Sequence, residues 1–327
     1  SDTSCIIYTS GTGGSPKGVM LHHGAILHNC EGAKDVVLEI GLSNDRFLSF
    51  LPLSHAYEHS AGQFLPIYIG AEIYYAESME RLAQNLIEAR PTIMMVVPRL
   101  FEMLQNKIIT SIKKEGGIKK RLFFRALTLG RKHFKNPNSL TLVEKIENNI
   151  LEVIVRRAIR KKFGGSIKAL VSGGAPLNKN VGTFFLGLGL PVLQGYGQTE
   201  SAPFISVNRP SKIKVETVGP PLKNTGVKIA EDGEILVQGE LVTFGYWRDK
   251  ASTEEILKDG WLHTGDIGII DEDGHIKITD RKKDIIVLDK GHNVSPQRIE
   301  GVLSLQEEIS QAMVYGDKKP HLVALIG

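Results

Sequence analysis

The chain has 327 residues, of which 42% are apolar and 23% charged, and a formal net charge of +4. That apolar content excludes a disordered chain, and the length points to one large domain plus part of another. There is no run of about 18 apolar residues to span a bilayer, and nothing at the start reads as a secretory leader.

In chain order, residues 4–10 predict a strand feeding a loop, and residues 24–37 a helix. Residues 46–51 read as a buried strand ended by Pro52, 59–69 as a helix, 72–75 as a strand and 81–89 as a helix. Residues 92–97 read as a buried strand closed by Pro98. Residues 101–163 are long, basic and helical, with breaks at Gly116-Gly117 and Pro137. Strands return at 167–172 and 191–193. Strands alternating with helices predict a parallel sheet with crossovers. From about Ser206 short strands with turn signals at Asp232-Gly233 and Asp273-Gly274 predict a small antiparallel, β-barrel-like part. From Asp280 a third piece follows, with a strand at 285–288, a helix at 296–305 and a strand at 312–315. The fold class is therefore α/β: parallel-sheet subdomains with crossover helices, the β-barrel-like subdomain, and the start of a small α+β C-terminal domain. The chain opens at Ser1 just before a loop dense in donors and closes within an apolar run at 324–327, so both ends read as cut.

Charge is uneven: residues 107–162 hold 16 Lys/Arg against 4 Asp/Glu, a net of +12, which leaves the remainder at −8. Either a solvated helical face or an anionic partner accounts for this. Nucleic acid is not expected, because the stretch lacks aromatic stacking positions and a known motif. Cys5 and Cys30 have no metal-site spacing, so they read as small buried hydrophobes in a reducing compartment. His22-His23 and His292 have no partner carboxylate at metal-ligand spacing and read as structural.

Five strings carry the chemistry. Tyr8-Thr9-Ser10-Gly11-Thr12-Gly13-Gly14-Ser15-Pro16-Lys17-Gly18 is a glycine- and hydroxyl-rich loop ending in a cation. Glycines let the backbone approach an anion, hydroxyls donate, and Lys17 adds a point charge, so the loop suits a polyphosphate. A Gly/Ser cluster alone is usually a surface turn, but this many convergent donors is not ordinary. The common nucleotide-triphosphatase loop is excluded, because Pro16 precedes the lysine and Gly18-Val19 follows it. Gln194-Gly195-Tyr196-Gly197-Gln198-Thr199-Glu200-Ser201 sets an aromatic between glycines beside oxygens fit for Mg²⁺ or phosphate. Ser172-Gly173-Gly174-Ala175-Pro176-Leu177 lets a planar ring come close, though a tight strand-to-helix turn explains it equally. Gly260-Trp261-Leu262-His263-Thr264-Gly265-Asp266 places a carboxylate that can accept two ribose hydroxyls. Leu51-Pro52-Leu53-Ser54-His55-Ala56-Tyr57-Glu58-His59 puts a histidine after a buried strand.

These strings resemble the adenylate-forming superfamily of acyl-coenzyme A synthetases, peptide-synthetase adenylation domains and luciferases, over the whole chain. The resemblance implies that Thr9, Ser10, Gly11, Thr12, Gly13, Gly14 and Lys17 hold the phosphates of ATP. It further implies that Gly173, Gly174 and Ala175 border adenine with Gln194, Gly195, Tyr196 and Gly197, and that Tyr196 stacks on it. Thr199 would contact phosphate, Glu200 with Thr9 would hold magnesium, and Asp266 and Arg281 would reach the ribose. His55 would lie beside the acyl carboxylate, so Lys17, His55, Thr199 and Glu200 are the catalytic set. Lys283 falls at the family's hinge, with a large adenylation part at 1–280 (barrel-like from about 206) and the small domain at 281–327. Two positions depart from the pattern: Gly13 replaces a usual threonine, and His59 replaces the gating tryptophan of some members.

The His-Ala-Tyr-Glu context and the long basic helical stretch resemble the long-chain fatty acyl branch. The implied reaction joins a fatty acid to coenzyme A through an acyl-adenylate, with ATP and Mg²⁺. The implied location is cytoplasmic with peripheral contact at the inner face of a membrane, the basic helices meeting anionic lipid. The family's adenylation lysine would lie beyond Gly327, so the isolated chain is expected to be weak or inactive. The alternatives are an adenylation module for an aryl or amino acid, or an inactive nucleotide-binding fragment.

Overall fold

A computed structural model of the chain describes residues 2–9, 15–282, 284–289, 292–303, 306, 309 and 311–327. The first element is a hairpin of β1 (Thr3–Thr9) and β2 (Lys17–His22), with Thr9 opposite Lys17. The glycine-rich loop therefore leaves and rejoins the chain at adjacent positions. Its members Ser10, Gly11, Thr12, Gly13 and Gly14 lie outside the described residues, as does Lys283.

A six-stranded sheet follows, built from β3 (Arg46–Ser49), β4 (Glu72–Tyr75), β5 (Ile93–Val96), β6 (Ala169–Ser172), β7 (Val192–Gly197) and β8 (Phe204–Val207). Its order is β4-β3-β5-β6-β7-β8, parallel except for β8, which runs antiparallel to β7. The strands are short; the central β5 and β6 are buried along their whole length, as parallel strands covered on both faces must be, while the edge strand β4 is largely exposed. Side chains alternate between the faces. Phe47, Ile93, Met95, Ala169, Val171 and Leu193 join one core, against helix His23–Ile40 and the helical stretch over 56–69. Leu48, Met94, Val96, Leu170 and Val192 join the other, against helices Leu82–Ala89, Pro98–Glu115, Gly117–Lys135 and Lys179–Gly187.

The expected elements recur with sharper ends. The 59–69 helix starts earlier, at Ala56, and contains a π-turn at His59–Phe64. The basic stretch breaks where its glycines and proline require: Gly116 has φ +62°, and Pro137 opens a short 3₁₀ turn. Helix Leu142–Leu151 then starts on a Thr141/Glu144 capping box. The stretch is not all solvated. Arg156 is buried and donates to the carbonyls of Gly187 at 2.9 Å and Ala126 at 2.6 Å. Strands β2 and β8 carry no mark in the sequence, because each is set by its pairing, β2 with β1 and β8 with β7.

The antiparallel part comprises β9 (Gly226–Ile229), β10 (Glu234–Gln238), β11 (Leu257–Lys258), β12 (Trp261–Ile270) and β13 (Ile276–Arg281). Its order is β11-β12-β10-β9, with β13 also on β12. It begins at Gly226 rather than near 206, because 204–207 still pairs with the larger sheet as β8. Gly233 and Gly274 have φ of +84° and +77°, as their turns demand. The last segment holds β14 (Ile286–Val287) paired with β15 (Asn293–Val294), helix Pro296–Leu303, and β16 (Ala312–Tyr315) paired with β17 (Val323–Ile326). The expected helix end at 304–305 lies outside the described residues.

Helices Gly117–Lys135 and Lys179–Gly187 touch backbone to backbone: a Cβ on Gly130 would sit 2.0 Å from the Gly187 carbonyl oxygen. Gly130→Ala must therefore push the two helices apart. Urea denaturation should show a loss of about 1–3 kcal/mol; an unchanged midpoint would mean the crossing is loose.

Candidate active site

The chain reversals that follow β3, β6 and β7 all lie at the carboxyl edge of neighbouring parallel strands, where open α/β sheets bind ligands. They hold His55, Gly173-Gly174-Ala175 and Thr199-Glu200, in the order of the strands that deliver them. His55 is exposed, and its Nδ1 accepts from the Tyr57 amide at 3.2 Å. Tyr57 is buried and donates its hydroxyl to the Val171 carbonyl at 2.8 Å. This lays the Tyr57 ring on Gly173, where a Cβ would lie 2.9 Å from Cζ. Gly173 is thus a close-approach glycine, and it ties the His55 segment to the Gly174-Ala175 turn. Gly174 has φ +82°, and both Gly174 and Ala175 are exposed.

On β7, Tyr196 is buried, and its hydroxyl donates to Asp266 Oδ2 at 2.7 Å. Arg281 Nε donates to Asp266 Oδ1 at 3.0 Å. Asp266 and Arg281 face one another across β12 and β13, so the pair is set by strand register. Each carboxylate oxygen keeps a further lone pair for a ligand hydroxyl. Burial, followed by the Asp266 charge, raises the Tyr196 phenol well above its ordinary range, so it stays a donor. The turn before Asp266 is braced by buried Glu234, which accepts from the Gly265 amide at 2.8 Å and from Lys282 Nζ at 3.1 Å. Gln194 is spent structurally, donating to the Val215 carbonyl at 2.5 Å. Gly195 pairs with Val207, and Gly197 has no room for a Cβ, which would lie 1.7 Å from the Pro203 oxygen.

Lys17 and Glu200 meet through a residue that the sequence did not single out. Tyr246 donates its hydroxyl to Glu200 Oε1 at 2.7 Å, and Lys17 Nζ lies 4.9 Å from the Tyr246 ring centre. Lys17 Nζ also donates to Ser252 Oγ at 2.8 Å. The segment around Tyr246 is held on β2 by the Trp247 amide to the Gly18 carbonyl at 2.7 Å and the Met20 amide to the Gly245 carbonyl at 2.9 Å. The only advance sign was the glycine-led aromatic pair Gly245-Tyr246-Trp247. Thr9 closes β1 beside Lys17, and Thr199 opens the 3₁₀ turn that carries Glu200.

Among the described residues no group of three or more His, Cys, Asp or Glu could cage a metal. The donors present, Thr9, Thr199 and Glu200, are hard oxygens. They suit a Mg²⁺ that takes one carboxylate and completes its shell from phosphate and water. Outside this edge, His28 bonds the Thr225 hydroxyl at 3.0 Å and His275 the Thr217 hydroxyl at 3.0 Å. His22 caps helix His23–Ile40 by accepting from the Ala25 amide and bonds the Val242 carbonyl at 3.1 Å. Cys30 is buried, and its thiol is pushed up to about 12 by burial and then by Glu31.

Buried polar atoms without a partner gather at the same edge. Among the described residues they include Glu58 Oε2, His59 Nδ1, Ser60 Oγ and Ser172 Oγ. Glu58 sits at the entry to the π-turn and fills the place of a side chain at Gly62, where a Cβ would lie 2.4 Å from Oε1. Burial raises its pKa from 4.5 to about 7, against hydrogen bonds from Ser49 and the Phe50 amide that lower it. The folded state keeps this proton where an unfolded glutamate has lost it, so stability falls as pH rises between 4.5 and about 7. The full loss above that window is about 3 kcal/mol. Glu58→Gln should raise the melting temperature over the parent at about pH 8, with the gap closing near pH 5. A gap equal at both pH values would show that this carboxyl does not titrate in the window.

Residues 1–247 match the family model described as AMP-binding enzyme. A long-chain-fatty-acid–CoA ligase, FadD15, of Mycobacterium bovis is 36% identical over 327 residues, covering 99% of this chain and 54% of the relative. The peroxisomal long chain acyl-CoA synthetase 6 of Arabidopsis thaliana is 35% identical over 343 residues, covering 99% of this chain and 48% of the relative. The chain thus spans about half the length of these curated relatives. Among solved structures, O-succinylbenzoate coenzyme A synthetase of Bacillus subtilis in complex with AMP superposes with a TM-score of 0.72 at 25% identity, covering 99% of this chain and 59% of that one. The chain belongs to the AMP-binding enzyme family, the adenylate-forming enzymes.

Proposed function

We propose that this chain forms the nucleotide site of a ligase that activates a long-chain fatty acid with ATP and passes it to coenzyme A. The observation that carries the reading is the pair of contact runs, Lys17–Tyr246–Glu200 and Tyr196–Asp266–Arg281, joined through Tyr196 and Glu200 on one strand end. The long-chain substrate is supported by the names of the relatives. A second reading, an aryl-type acid, is favoured by the likeness to O-succinylbenzoate coenzyme A synthetase.

In the first step a carboxylate oxygen attacks the α-phosphorus of ATP; a new O–P bond forms and the bond to pyrophosphate breaks. Asp266 accepts the ribose hydroxyls while Arg281 holds its other oxygen and offers charge toward the ribose or phosphate. Tyr196 with the Gly173-Gly174-Ala175 turn borders the base, Thr199 contacts phosphate, and Lys17 with the glycine-rich loop balances the charge of the departing pyrophosphate. Bound Mg²⁺, taken by Glu200 with Thr9, would act as a Lewis acid on the phosphate oxygens. His55, exposed beyond the β3 edge, would lie beside the carboxylate. In the second step the coenzyme A sulfur attacks the acyl carbon, the C–O bond to AMP breaks, and the thiol proton is lost to solvent or base. The division into an adenylation part at 1–280 and a small domain from 281, turning at Lys283, belongs to this proposal. So does peripheral contact at the inner face of a membrane, which would deliver the fatty acid.

A non-hydrolysable acyl-sulfamoyl adenosine tests the substrate by binding alone. Calorimetry should find the hexadecanoyl analogue at least about tenfold tighter than the benzoyl one. The reverse order would move the assignment to the aryl reading, and no binding of either would end both. Asp266→Asn should weaken the adenosine ligand by about 10- to 100-fold, the worth of a charged hydrogen bond, without loss of helical signal.

A further inference from the structure

The helical run through Leu142–Leu151, the π-turn Glu152–Arg156 and Arg157–Lys162 has two apolar sides. One is ordinary: Leu151, Val155 and Ile159 pack into the core. The other is turned to solvent: Leu142, Val143, Ile146, Ile150, Val153 and Ile154 are between 52% and 79% exposed. At 3.6 residues per turn these six fall opposite Leu151 and Val155, as one continuous stripe. A surface helix needs one apolar stripe, and a second marks a face built to be covered.

Cations extend the stripe. Arg157 and Lys161 follow Ile154 on the same side of the helix, and with Arg90, Arg160 and the Gly164-Gly165 backbone they line a cleft of about 560 Å³. Arg160 is ion-paired with Glu152. Among the described residues no carboxylate pairs with Arg90, Arg157 or Lys161. The stripe is aliphatic throughout, with no ring for a nucleobase to stack on. Aliphatic side chains beside unpaired cations, within a stretch of net +12, complement an apolar layer capped by negative charge.

We infer that this face docks on an anionic lipid bilayer: the six aliphatic side chains enter the headgroup–acyl boundary, and Arg90, Arg157 and Lys161 meet lipid phosphates. The helix lies in the plane of the surface, since no described helix is long and apolar enough to cross a membrane. The inference rests on the membrane part of the proposed function and names the surface responsible.

Co-sedimentation of the 327-residue chain with phosphatidylglycerol–phosphatidylcholine vesicles and with pure phosphatidylcholine vesicles tests it. Binding to the anionic vesicles alone, weakened by added salt, is expected. Ile146→Ser/Ile150→Ser and, separately, Arg157→Gln/Lys161→Gln should each weaken binding by about tenfold or more. All four positions are exposed or part of the cleft rim, and circular dichroism checks that the fold is kept. Parent binding that neither double variant weakens would overturn this face while leaving the membrane reading in place. No binding to anionic vesicles would overturn both. A dimer in sedimentation equilibrium, dispersed by the isoleucine variant and unable to bind vesicles, would assign the face to a second copy instead and overturn the inference. Binding lost only when inorganic phosphate competes, with the isoleucine variant unaffected, would reduce the cleft to a phosphate site and also overturn it.

Discussion

One buried carboxylate, Asp266, ties the antiparallel sheet to the larger six-stranded one. Left alone in the interior its charge would cost several kcal/mol. Here it is met by a hydroxyl from the larger sheet, Tyr196, and a guanidinium from its own hairpin, Arg281. A shift of one sheet against the other would break the Tyr196 bond and leave Arg281 as that charge's partner. The arrangement at the strand ends is therefore a property of the interface between the sheets, not of either sheet.

The remaining parts arrive by simpler means. A run of parallel strands sends each connection out at the same edge, so segments distant in sequence become neighbours. Small residues then set how closely they meet. Gly173 admits the Tyr57 ring, Gly62 admits the Glu58 carboxyl, and Gly197 admits the Pro203 carbonyl. The π-turn at His59–Phe64 fits this picture, since such turns gather where a helix is bent to the needs of a site. The cost appears beside it, in buried polar atoms at Glu58, His59, Ser60 and Ser172 that the protein itself does not satisfy.

What could be read from the sequence was what local chemistry decides. Glycine and proline marked the breaks at Gly116 and Pro137 and the turns at Gly233 and Gly274. Short apolar runs marked the strands of the parallel sheet, and motif strings marked Tyr196 and Asp266, which the fold brings within one hydrogen bond. What could not be read depends on partners far along the chain. Tyr246 joins Lys17 to Glu200 across more than two hundred positions of sequence, and no spacing rule signals that. The burial of Glu58 is likewise invisible in a string where it stands between a tyrosine and a histidine. Strand β2 was hidden because Lys17-Gly18 reads as the tail of a loop, although it pairs along the whole of β1.

Arg281 closes β13, and the next residue, Lys282, donates its amide to the Gly265 carbonyl at 2.8 Å and its ammonium to Asp232 and Glu234. The Asp266–Arg281 pair, proposed to hold the ribose, and the launch point of everything beyond position 282 are thus a single piece of backbone. By thermodynamic reciprocity, whatever a nucleotide does to bias the posture of that trailing segment, the posture must return in equal measure as a change in how firmly the nucleotide is gripped. Sensing and gripping would then share one lever, with no relay in between.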